Sequence, residues 1–178
     1  KDSLGNLWVS QTSRGSISLL EVQDGKVVSQ NEIFRNLKKP HGLAIDPEDP
    51  FVLYFAEEDK ISRARIYSGG GVEIIASLPG GGNHFTRTIE FGPDNRLYVS
   101  VGSSCNVCEE DVRRARIFSM NKDGSDFVEF ALSKSMSLCF FYLRNIGFIG
   151  HFTKLVSNIL LRKCLCVVFD EIKLYPVK

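Results

Sequence analysis

Leu97-Tyr98-Val99-Ser100 occurs three times in this chain with small changes, the earlier copies being Leu53-Tyr54-Phe55-Ala56 and Leu7-Trp8-Val9-Ser10. Trp8 and Tyr54 are 46 positions apart, and Tyr54 and Tyr98 are 44 apart. Each copy joins an aromatic residue to β-branched or small neighbours, the composition of a half-buried strand. A period of this length marks a repeat array, in which each copy is one supersecondary unit.

The surroundings of each copy repeat as well. A polar loop leads from it to a second strand: Gly15-Ser16-Ile17-Ser18-Leu19-Leu20, Lys60-Ile61-Ser62-Arg63-Ala64-Arg65-Ile66 and Arg114-Ala115-Arg116-Ile117-Phe118. Turns follow at Asp24-Gly25, Ser68-Gly69-Gly70-Gly71 and Lys122-Asp123-Gly124, residue types that supply tight reversals. Third strands are then expected over Lys26–Phe34, over 72–78 and over 127–130. Ahead of the second and third copies lies a further strand approached through a histidine, in Pro40-His41-Gly42-Leu43-Ala44-Ile45 and in His84-Phe85-Thr86-Arg87-Thr88-Ile89-Glu90-Phe91. The two histidines read as equivalent positions in successive units. Pro93-Asp94-Asn95 reads as a turn. Four short antiparallel strands per unit define the blades of a β-propeller, so the fold class is all-β with about three blades present.

The third unit carries an insertion. Ile17 and Ile61 are 44 positions apart, but Ile61 and Ile117 are 56 apart. The extra residues fall where Cys105-Asn106-Val107-Cys108-Glu109-Glu110-Asp111 lies. Insertions in repeat arrays gather on one face, often the binding face.

Composition limits the alternatives. The chain has 178 residues, of which 22 are basic and 21 acidic, for a net charge of +1. That balance gives no electrostatic reason for a nucleic-acid or anionic-membrane partner. The apolar region over 138–169 is broken by Arg144, His151, Lys154, Arg162 and Lys163, so no membrane span is expected. The pattern ends after Ala131, giving a partial propeller over 1–131 and an atypical tail over 132–178 that reads as a disrupted or misread end. Three blades leave sheet edges open, so either the tail covers that edge or the product is incomplete; self-association through the open edges is the expected partner interaction.

Residues 80–117, GGGNHFTRTIEFGPDNRLYVSVGSSCNVCEEDVRRARI, closely resemble the soluble quinoprotein glucose/sorbosone dehydrogenase family. Upstream the likeness is looser, running through PHGLAIDP (40–47) to Lys1. The family consists of six-bladed β-propellers that use pyrroloquinoline quinone (PQQ) and calcium to oxidise sugars. The resemblance therefore implies a sugar and an electron acceptor as partners, PQQ and calcium as cofactors, and an extracellular or periplasmic location. It implies that His84 is the general base, taking the proton of a sugar hydroxyl as hydride passes to the quinone. A base titrating near neutrality suits that task. The bland alternative is a histidine that only hydrogen-bonds backbone, as expected for His41.

Arg87 has two readings, orienting a quinone carboxylate or pairing with Glu90 at the surface. Leu143-Arg144-Asn145 corresponds to a quinone-holding turn of the family, displaced by about eleven residues. The family's calcium ligands belong to later blades, and none is assigned here; Glu109, Glu110 and Asp111 read as a solvated loop. Cys105 and Cys108 fit a disulfide, half of a metal site or a redox pair. A local disulfide is preferred, because zinc needs four ligands and no βαβ context supports a redox motif. Two functions follow: a PQQ-dependent sugar dehydrogenase incomplete in this stretch, and a non-catalytic propeller scaffold. A propeller lactonase is a weaker third, since it needs axial acids that are not evident.

Overall fold

A computed structural model describes residues 1–105, 112–133 and 172–174. All regular structure in them is β, arranged in three antiparallel sheets that follow one another along the chain. The first sheet is β1 (Leu7–Gln11), β2 (Ser16–Gln23) and β3 (Lys26–Phe34). The second is β4 (Leu43–Ile45), β5 (Val52–Ala56), β6 (Lys60–Arg65) and β7 (Val72–Ser77), paired in that order. The third is β8 (Ile89–Phe91), β9 (Leu97–Val101), β10 (Arg116–Met120) and β11 (Val128–Ser133), with β12 (Ile172–Leu174) added outside β11. The tail therefore contributes one strand to the outer edge of the third blade, through the pairing of Ala131 with Leu174. Among the described residues no helix is long and apolar enough to cross a membrane.

Register repeats more faithfully than sequence does. Each blade has a β-bulge in the corresponding strand pair, β2–β3 after Ile17, β6–β7 after Ile61 and β10–β11 after Ile117. The extra residue is Ile33, Ile75 or Phe130 in turn. A bulge at one fixed place in every blade increases local twist, as neighbouring propeller sheets require. The turns also form as the residue types demand. Asp24 and Gly25 both take positive φ (50° and 75°), the two-residue turn that matches hairpin twist. Asn95 takes φ 59°, its N–H bonding Gly92 O at 3.1 Å while Asp94 Oδ1 accepts from Arg96 N–H.

The core lies between blades. Leu53 and Phe55 of β5 face the first blade, where Ile17, Ala64 and Ile66 are also buried and Trp8 and Phe34 pack against them. Tyr54 and Ala56, on the opposite face of β5, join Ile61, Ile89, Leu97, Val99, Phe118 and Met120 toward the third blade. Both faces of β5 are thus buried, which explains its run of apolar residues without alternation. Full burial of each such side chain contributes about 1.5–3 kcal/mol. The outer strands β3 and β7 are largely exposed, with Val27, Val28 and Ile74 more than half accessible. The first strands of the second and third blades, β4 and β8, lie against each other.

Candidate functional site

The loop from β7 to β8, residues 78–88, carries His84. Its first part, Pro79-Gly80-Gly81-Gly82, contains the residues with the greatest backbone freedom, so something outside the loop must fix its shape. Gly82 takes φ 88°, and a Cβ there would lie 2.8 Å from both Cα and O of Ser104. Asn83 N–H donates to Ser104 O at 2.8 Å. His84 itself is half-buried and rests on Gly102: a Cβ at residue 102 would fall 2.7 Å from both Cβ and O of His84. The connection between β9 and β10 therefore abuts the histidine directly.

Two buried guanidiniums complete the support. Arg87 has 0% exposure. Its Nη1 donates to His84 O (2.9 Å) and Thr86 O (3.0 Å), and its Nη2 to Pro79 O (2.8 Å). Burial, then the nearby Arg114, pull its pKa down to about 10, against the opposing pull of Glu58 and Asp59. Arg114, 9% exposed, donates from Nη2 to Gly80 O (2.6 Å) and from Nη1 to Gly81 O (3.1 Å). Buried Glu58 accepts from Gly81 N–H (2.6 Å) and pairs with Lys39 (3.2 Å). Burial pushes its carboxyl up, but that N–H and Lys39 together hold it below the ordinary value. Lys39 also sits 4.3 Å over the ring of Phe85. Every residue from 79 to 84 except Gly82 thus has a backbone hydrogen bond to a group outside the Gly run.

The structure revises two expectations. His41 and His84 are not equivalent. Leu43 pairs with Phe55, and Ile89 pairs with Val99, so the residue matching His41 in the third blade is Arg87. His84 stands three positions further from its strand, on the loop rather than at the strand's start. His41 hydrogen-bonds backbone as expected, its Nδ1 lying 3.2 Å from Arg87 O. Nor does Arg87 pair with Glu90 at the surface: it is fully buried and directed at carbonyls, while Glu90 is exposed. As placed, Arg87 supports the histidine loop from beneath.

Cys105 is disulfide-bonded, and Ser103 Oγ donates to its carbonyl at 2.8 Å. Cys108, Arg144, Asn145 and the acidic run 109–111 lie outside the described residues. Among the described residues no group of three or more His, Cys, Asp or Glu is placed to hold a metal. A tricarboxylate quinone needs several cationic or N–H donors facing it. Here the Nη atoms of Arg87 and Arg114 donate to carbonyls, leaving the buried Arg87 Nε as one guanidinium donor without a partner among the described residues, and Lys38 and Lys39 lie on Asp59 and Glu58. The described residues do not by themselves form a quinone cradle.

A cavity of about 370 Å³ lies elsewhere, near the turn of Lys122. Its charges are mutually paired, Arg63 with Glu73 (2.8 Å), Arg65 with Asp49 (2.7 Å) and Lys122 with Asp46 (2.5 Å), so the His84 loop is the stronger candidate. Sequence reasoning missed Arg114 and Glu58. Each sits beside other charges in the sequence, and their burial arises only from the approach of loop 79–84 in three dimensions.

These features define a partial β-propeller with a histidine loop held at one end. No family profile matches the chain, and no curated protein matches it. Solved structures do. The PQQ domain of pyranose dehydrogenase from Coprinopsis cinerea aligns with a TM-score of 0.58 at 22% identity, over 68% of this chain and 32% of that one. A Trichoderma reesei carbohydrate-active enzyme of family AA12 aligns with a TM-score of 0.56 at 23% identity, over 71% and 35%. A streptogramin B lyase aligns with a TM-score of 0.50 at 17% identity, over 72% and 37%. The chain spans about a third of the length of each of these three structures. Such distant likeness establishes the propeller fold, which these proteins carry with different chemistries.

Proposed function

We propose that this chain forms part of a sugar-oxidising β-propeller, in which His84 takes the proton from a substrate hydroxyl. The observation that carries the reading is the fixation of the His84 loop: Arg87 and Arg114 hold the carbonyls of residues 79, 80, 81, 84 and 86. A general base works only when held within reach of its proton, and buried charged donors on several peptides supply that rigidity. The likeness to the C. cinerea PQQ domain and the T. reesei AA12 enzyme supports a sugar as substrate and PQQ as the acceptor. In this reading the quinone and calcium donors come from outside the described residues, and the chain supplies one wall.

The test is titration of the full chain with PQQ in the presence of calcium, followed by fluorescence of the single tryptophan, Trp8, and by dye reduction with glucose. Saturable quenching and dye reduction lost in His84→Ala are the expected results. Absence of quinone binding at high micromolar concentration overturns the reading and leaves a non-catalytic propeller scaffold.

A further inference from the structure

We infer that Arg114 is a positioning residue for His84, acting through the carbonyls of Gly80 and Gly81 as one jaw of a clamp formed by the two ends of the β9–β10 connection. The inference rests on His84 being the reacting group of the function proposed above.

The corresponding connections in the other blades are short. β5 leads to β6 through Glu57-Glu58-Asp59, and β1 leads to β2 through Thr12-Ser13-Arg14-Gly15. The third blade's connection is longer, and both of its described ends reach the preceding loop, which carries His84. Its first end supplies Gly102, in contact with His84, and Ser104, whose carbonyl accepts from Asn83 N–H at 2.8 Å. Its last end supplies Arg114, whose two Nη atoms reach adjacent carbonyls at 2.6 and 3.1 Å. Cys105, beside Ser104 at this end, is disulfide-bonded.

A planar guanidinium donating to two successive carbonyls fixes both peptide planes at once, which an ammonium cannot do. The residues so fixed are glycines, whose freedom is otherwise the largest in the loop. Arg87 holds the loop at Pro79 and His84; Arg114 holds the span between them. Together they leave the histidine little room to swing.

The experiment uses the full chain with Arg114→Met and Arg114→Lys. Amide hydrogen exchange is read at Gly81 and Asn83, and ring-proton signals are read for His84. The chain has three histidines, so His84→Gln identifies the signal. Arg114→Met is expected to speed exchange at Gly81 and Asn83 on the order of tenfold and to shift the His84 ring signals. Amides of β9 and the ring of His41 should stay as they are, and Arg114→Lys should fall between. In dye reduction the Arg114→Met variant should lower kcat with little change in KM for the sugar. Unchanged exchange and unchanged His84 signals in a folded Arg114→Met overturn the inference. Should that variant not fold, Arg114→Lys decides, since it must show the same changes at smaller size. If His84→Gln keeps full dye reduction while Arg114→Met still loosens the loop, the functional reading fails and the positioning role stands.

Discussion

Nδ1 of His41 lies 3.2 Å from the carbonyl oxygen of Arg87, and the two residues hold the same register position in adjacent blades. The two blades come very close here, since a Cβ on Gly42 would sit 2.5 Å from that same oxygen. One blade places an imidazole at this point and the next a buried guanidinium. The repeat therefore keeps its backbone while changing which side chain does what.

Gly102→Ala should disturb the histidine first. The added methyl meets His84 Cβ and O at 2.7 Å, closer than carbon atoms tolerate, so the loop must shift. A cost of about 1–3 kcal/mol is expected from overpacking. Urea unfolding measures the loss, and displaced His84 ring signals with an unmoved His41 locate it.

Arg87→Met should remove three hydrogen bonds and leave their carbonyls without those donors. A loss of about 3 kcal/mol is expected. Arg87→Lys should recover only part of it, because one ammonium cannot span Pro79 O and His84 O as the fork does. A shift of the urea midpoint without a change in slope would identify lost stability rather than a more open chain.

Acid should release the Gly run through Glu58. Its folded pKa is depressed below the ordinary 4.5, so its contribution is whole above that value. It is lost as pH falls through the lower folded value. Protection of the Gly81 N–H against exchange should therefore decline below about pH 4.5, and Glu58→Gln should show the weaker protection already at neutral pH. A Gly81 amide whose protection is independent of pH over that range in the native chain would remove Glu58 from the account.

Tyr98 should ionise late. Burial, then the hydrogen bond to Asp94 (2.9 Å), push its phenol up to about 12. A raised folded value means its contribution is complete below the ordinary value of 10 and is lost as pH climbs through about 12. Ultraviolet titration of the chain's five tyrosines should lose one transition near pH 12 in Tyr98→Phe.

Much of the fold was legible because strand chemistry is local. The expected third strand of the first blade has the observed bounds, Lys26–Phe34, since the Asp24-Gly25 turn fixes its start. The aromatic copies Trp8, Tyr54 and Tyr98 fall in β1, β5 and β9, each opposite a strand of its own blade. Register was less legible. His41 and His84 look alike in sequence, but only the pairing of Ile89 with Val99 reveals that Arg87 fills the former's place. The arginines were least legible. A charge beside a strand normally means solvent, and the carbonyls that justify burying Arg114 lie 33 and 34 residues earlier in the chain. Nothing local to residue 114 announces them.

The contrast between β5 and β3 has a practical consequence for anyone modifying the protein. On β5 each side chain is already claimed by one neighbouring blade or the other, so that strand has no neutral position for a probe, a tag or a new charge. On β3, Val27 and Val28 stand in the open, and a dye or an affinity handle attached there would report on the protein without entering its packing. The place to touch this molecule is its rim.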